Sequence, residues 1–155
     1  MFALLRIGLG LIFLWAFFDK LLGLGFATKP EFAWLNGGSP TSGFLTNAAK
    51  GPFAPIYHAL VGTGIVDWLF MLGLLLLGLA LVLGIAMKLA THAGALLMLL
   101  IYLAVLPPAN NPILDDHIIY GLVLLLLYQV KAGEVWGYGK EWEKNKLVKR
   151  YKFLG

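Results

Sequence analysis

The residues with chemistry to offer lie inside or beside oily stretches of the chain. Asp19 and Lys20 adjoin in LWAFFDKLLG, Asp67 precedes Trp68, and Asn110, Asn111, Asp115, Asp116 and His117 crowd into NNPILDDH. An imidazole next to two carboxylates is how a proton relay is built, because histidine changes charge near neutral pH. An ammonium in the same layer supplies positive charge for an anionic substrate or a quinone headgroup. Ionisable groups in or at the edge of a bilayer are costly, which makes them functional candidates by default.

The elements that position them follow from composition. The chain has 155 residues, 60% hydrophobic and 13% charged, which places it in the membrane class. Four apolar tracts stand out, roughly 4–26, 68–87, 89–106 and 113–130. The predicted fold is an all-α membrane protein, four transmembrane helices in an antiparallel bundle with a long extracytoplasmic loop between the first two. Residues 1–155 read as a single domain with a basic tail over 131–155. The first tract is read as a retained helix rather than a cleaved leader, since Arg6 sits deep and no small-x-small site follows.

Charge sets the orientation. Arg6, Lys88 and the basic residues from Lys131 to Lys152 fall on one side, against Lys20, Lys29 and Lys50 on the other, so both termini are predicted cytoplasmic. Lys88 marks a tight hairpin between the second and third spans, and Pro107-Pro108 ends the third. AAKGPFAPIYHALVGTGIVDW reads as a short amphipathic interfacial helix, and the basic, aromatic tail as either a segment resting on anionic headgroups or a solvated positive-inside tail. Ala80 and Gly84, then Ala86, Ala90 and Gly94, recur every four positions as small-residue contact faces.

In this topology Asp19, Lys20, Asp67, Asn110, Asn111, Asp115, Asp116 and His117 share the outer layer. At 100° per residue, His117 and Tyr128 fall on one stripe of the fourth helix with Tyr120 about 60° away, an aromatic face leading inward. Adjacent residues cannot face each other, so Asp19 and Lys20 seek different partners. Plain structural accounts stand beside the chemical ones: Lys20 snorkelling to headgroups, Asp19 ending its helix, Asp67 and one of Asp115 and Asp116 acting as caps. Arg6 reads as a snorkelling anchor and His92 as a hydrogen bonder one turn from Lys88.

The absence of cysteine excludes disulfides, CxxC chemistry and thiolate-held metals. No metal site is predicted, and a bis-histidine haem is disfavoured because His92 and His117 lie at opposite sides. No phosphate loop, dinucleotide fingerprint or nucleophile elbow occurs, and the basic charge reflects orientation rather than nucleic acid.

RIGLGLIFLWAFFDKL, SPTSGFL, VDWLFMLGLLLLGLALVLG and NPILDDHIIY together resemble the DoxX/DoxD family of four-helix membrane proteins. The resemblance implies a bundle in a prokaryotic plasma membrane, similar to a single module of a thiosulfate:quinone oxidoreductase, in which thiosulfate is oxidised to tetrathionate and membrane quinone is reduced. With it, Asp19, Lys20, Asp116 and His117 are the expected catalytic group; Tyr120, Tyr128, Asn111 and Asp67 are the expected quinone-binding residues. The expected partners are the lipid bilayer, a membrane quinone, and a second membrane subunit or another copy of the chain. The rival expectation is a non-catalytic accessory or assembly subunit of a larger respiratory complex; a solute carrier ranks last, as no inverted repeat is visible.

Overall fold

The protein's structure, a computed structural model, describes residues 1–109, 111 and 113–155. Asn110, one of the polar residues singled out above, lies outside the described residues. Regular structure among the described residues is helical: α1 (Phe2–Leu22), α2 (Ser42–Asn47), α3 (Ala54–His58), α4 (Gly64–Leu83), α5 (Met87–Ala104), α6 (Asp116–Gln129), α7 (Gly139–Glu143) and α8 (Lys146–Arg150), with short 3-10 turns between them. Three helices, α1, α4 and α5, are long and apolar enough to cross a membrane. Their outward faces carry Leu11, Ile12, Trp15, Leu69, Leu76 and Leu96, each at least half exposed, as suits helices that are apolar all round and meet lipid rather than water.

The apolar tracts and the helices they form differ at their ends, each time for a local reason. The first tract stops at Leu22 because Gly23 takes a left-handed backbone (φ 67°) and its N–H returns to the Asp19 carbonyl. The second and third helices begin earlier than their most apolar windows, and the link between them is Gly84–Ala86, leaving Lys88 in the first turn of α5 rather than in the loop. The fourth tract yields only fourteen helical residues, about 21 Å at 1.5 Å per residue. Asp115 caps it, and Asn111 Oδ1 accepts from the N–H groups of Ile113 and Leu114, holding the preceding residues in a turn. The expected interfacial segment, 48–68, is not one helix: a 3-10 turn at Gly51–Phe53 leads into α3 (Ala54–His58), and Gly64–Trp68 already belong to α4.

The main contacts run α1 on α4, α4 on α5 and α5 on α6. Leu9, Phe13 and Phe17 of α1 meet Met71, Leu74, Leu77 and Leu81 of α4 in a core that Met98, Leu124 and Leu127 complete. The contact of α1 with α4 uses a glycine that the small-residue reading did not include. A Cβ on Gly10 would lie 2.8 Å from Val82 Cγ2 and 2.9 Å from Val82 N, so the α1 and α4 backbones fit only without it. Gly94, expected at a contact face, does sit against Leu77 and Leu124 in the same way.

One end of this assembly is organised by Arg6. Its side chain has no exposed surface, and it donates to the carbonyls of Leu81, Val82 (2.9 Å), Ala132 (3.1 Å), Val135 (3.1 Å) and Trp136 (2.8 Å). This corrects the snorkelling expectation. The last carbonyls of a helix lack intrahelical donors, and the five-donor fork of a guanidinium can satisfy several of them at once. Gly84 makes room: at φ 72° it ends α4, and a Cβ there would lie 2.7 Å from Gly133 O and 2.9 Å from Arg6 Nη1.

Replacing Arg6 by Ala is expected to lower the unfolding free energy in detergent by about 3–5 kcal/mol, since several buried carbonyls lose their donor together. Arg6→Lys should recover only part of it, because an ammonium cannot span the same fork. A thermal or denaturant melt in which Arg6→Ala matched the wild type would show that α4 and the 132–136 segment hold without it.

Candidate functional site

The other end carries Asp19, Lys20, Asp67, Asp115, Asp116 and His117, and the segment between α1 and α4 covers it. Lys50 N–H donates to Ala104 O (2.8 Å), and the Tyr57 hydroxyl donates to Leu100 O (2.7 Å), tying that segment to the last turns of α5. Burial raises the Tyr57 phenol above its ordinary value, which keeps it a neutral donor.

Asp19 and Lys20 diverge, as the 100° step predicts. Asp19 is 2% exposed, and its two carboxylate oxygens accept the N–H groups of Phe26 (3.2 Å) and Ala27 (3.1 Å). The acid therefore builds the turn that follows α1 and does not face Asp116 or His117. Lys20 points elsewhere, with Nζ 5.9 Å from the Phe70 ring centroid, in the range of a cation–π contact. It stands between two hollows. One is a polar cleft of about 660 Å³ reaching Thr28, Ser42 and Asn47; the other is an apolar pocket of about 330 Å³ walled by Phe44, Leu45, Tyr57, Phe70, Leu97 and Ile101. Lys20 is the one charged residue of that apolar wall.

Asp67 is buried and accepts from Thr41 Oγ1 (2.5 Å) and Ser39 Oγ (2.8 Å). Ser39 Oγ in turn accepts from the N–H and hydroxyl of Ser42. So the carboxylate expected to bind a cofactor is taken up by the Ser-Pro-Thr-Ser stretch, and the capping account of Asp67 is replaced by a clasp on the loop. The hydroxyl-rich SPTS run beside an apolar helix was the signal available in the sequence, but nothing in it named Asp67 as the acceptor.

At the start of α6, Asp115 does two things at once. Its Oδ1 accepts from the N–H groups of His117 (3.1 Å) and Ile118 (3.3 Å), an N-cap, and its Oδ2 lies 2.7 Å from His117 Nδ1. An ionised carboxylate only accepts, so Nδ1 is the donor in this contact and Nε2 is turned away from Asp115. Of the two carboxylates beside His117, the one that pairs with it is Asp115, the cap, and not Asp116 of the expected catalytic group, because an N-cap side chain folds over the first turn while the next residue points out. Asp116 is exposed and lines the same cleft, about 490 Å³, together with His117, Lys50 and Asn111.

The expected group is thereby divided. Lys20 faces the apolar pocket, Asp116, His117 and Asn111 share a different cleft, and Asp19 and Asp67 are bound to loop groups. Tyr120 is half-buried against the core, whereas Tyr128 lies at the Arg6 end, its ring 5.3 Å from that of His92 in an edge-on contact. Neither tyrosine lines the apolar pocket that Lys20 faces. His92 Nδ1 pairs with Lys88 O at 2.6 Å, the bond that one-turn spacing predicts. No family model matches the chain, and no curated protein or solved structure matches it.

Asp67→Ala should cost about 2 kcal/mol by removing two buried hydrogen bonds, and it should raise amide hydrogen exchange across residues 39–45 before other segments. Exchange in that stretch unchanged from wild type would mean that Asp67 does not hold the loop.

Proposed function

We propose that the chain is a quinone-linked membrane oxidoreductase subunit of thiosulfate:quinone type, a DoxX/DoxD-like module in a prokaryotic plasma membrane with both termini cytoplasmic. In this reading α6 is the fourth membrane helix, its short length made up by local thinning of the bilayer and by its flanking residues. The segment between α1 and α4 is extracytoplasmic, as the lysine and arginine distribution requires. Two thiosulfate anions join through a new sulfur–sulfur bond and release two electrons; the quinone takes these with two protons and leaves as quinol.

The observation that carries the reading is the apolar pocket with one ammonium in its wall. A quinone is an apolar ring and tail with two carbonyl oxygens, and a pocket for it is largely apolar with a few placed polar groups. Lys20 would donate to one carbonyl and favour the anionic forms met during reduction. His117, with Nδ1 held by Asp115, would exchange protons through Nε2 with the aqueous side from its own cleft. Asp116 would set the charge around it.

A second reading rests on a separate observation. Arg6, Asp19 and Asp67, the most buried ionisable groups, all serve backbone or loop hydrogen bonds, as in a subunit whose charges fix its shape for assembly. In native extraction, that accessory subunit would bring down partner membrane proteins in fixed ratio while binding no quinone alone.

Reconstituted protein should bind a short-chain quinone saturably, and Lys20→Met should weaken that binding about tenfold or more, the scale of one hydrogen bond to a charged donor. His117→Ala should leave affinity near wild type and slow quinone reduction. Absence of saturable binding by the wild type, or equal binding by Lys20→Met, would exclude this pocket as the quinone site.

A further inference from the structure

The Arg6 end has a hollow of its own that the quinone reading does not use. The C-terminal segment folds back against the α4–α5 turn: Tyr138 N–H donates to Leu83 O (2.8 Å), Lys88 N–H to Gly155 O (2.7 Å), and Trp142 Nε1 to Leu154 O (2.6 Å). Between turn and segment lies a cleft of about 410 Å³. Four lysines line it, Lys88, Lys131, Lys149 and Lys152, against two glutamates, Glu134 and Glu143. Lys131 is 3.6 Å from Glu134 and so is partly neutralised, which leaves Lys88, Lys149 and Lys152 facing Glu143. The first turn of α5 also lines the cleft, its Lys88 N–H already taken by Gly155 O, so the lysine side chains carry the attraction for an anion.

We infer that this cleft holds the phosphate headgroup of an anionic phospholipid, with Lys88, Lys149 and Lys152 as its cationic contacts. Charge gives the sign of the ligand, and position gives its kind. The cleft begins at the ends of two helices of membrane-spanning length, which is where headgroups lie. Beside it, Trp136 is 70% exposed and Tyr138 62%, the amphipathic aromatics that settle at a membrane interface. Leu83, Leu89 and Val130, each adjacent in sequence to a residue of the cleft lining, are exposed at the ends of α4, α5 and α6 and offer apolar surface to acyl chains. A soluble anion would use the lysines alone; a phospholipid uses both surfaces. Basic pockets at helix ends on the positive side of a membrane bind such headgroups, each lysine near the surface contributing about fivefold in affinity.

The test titrates the full chain, purified in a neutral detergent, with phosphatidylglycerol, with phosphatidylcholine and with inorganic phosphate, reading bound lipid by native mass spectrometry and stability by thermal melting. Phosphatidylglycerol should bind at least about tenfold more tightly than phosphatidylcholine and raise the melting temperature. Lys149→Ala/Lys152→Ala should lose about twentyfold of that affinity, two lysines acting together. Lys140→Ala/Lys144→Ala removes the same charge from exposed positions outside the cleft and should stay within about threefold of wild type. Equal affinity for the two lipids, equal losses in the two double variants, or inorganic phosphate binding as tightly as the lipid would each overturn the assignment. Helix content measured by circular dichroism separates loss of binding from loss of fold, and Lys88→Gln supplies an independent variant on a different element.

Discussion

A guanidinium buried without a carboxylate partner has to be held by dipoles, and Arg6 is held by five backbone carbonyls. Two belong to the last turn of α4, where carbonyls have no intrahelical donor and the helix dipole is negative. Three belong to the 132–136 segment that follows α6. One side chain on α1 therefore joins the end of α4 to the path out of α6. That crowding is possible only because Gly84, which ends α4, and Gly133 carry no side chain. The lysine-lined cleft exists because the chain after α6 is pinned here and must fold back across the α4–α5 turn.

The opposite end follows the same rule with the signs reversed. Asp19, Asp67 and Asp115 each place a carboxylate on N–H or O–H donors of a chain turn: after α1, in the Ser-Pro-Thr-Ser loop, and at the first turn of α6. The acids thus shape the cover over this end, and the cover creates the apolar pocket beside Lys20. What is left over for chemistry is smaller than the count of ionisable residues implies: Lys20 on one side, and His117 with Asp116 on another. Their separation into two hollows is the feature a mechanism has to accommodate, with binding and proton exchange assigned to different places.

Much of this was legible without coordinates. Apolar tracts too long and too uniform for a soluble core mark α1, α4 and α5, and hydrophobicity on every face leaves lipid as their solvent. The divergence of Asp19 from Lys20 follows from helical pitch alone. Asp115 as the cap was also within reach, since an N-cap aspartate accepts from the second and third residues after it, and only Asp115 stands that far before His117 and Ile118. Helix ends were less legible, because Gly23, Gly84 and the Asn111 turn stop helices inside runs whose hydropathy continues.

The sequence by itself determined the solvent, the helical class and the faces of each helix, because these depend on composition and on a fixed 100° step. Only the tertiary structure decided which charges are spent on structure. Arg6 finds acceptors 75 to 130 positions away, and Asp67 finds hydroxyls 26 and 28 positions away. Local pattern carries no information about such partners, since in a dry interior a charged group is satisfied by whichever dipoles the packing of distant elements brings within about 3 Å.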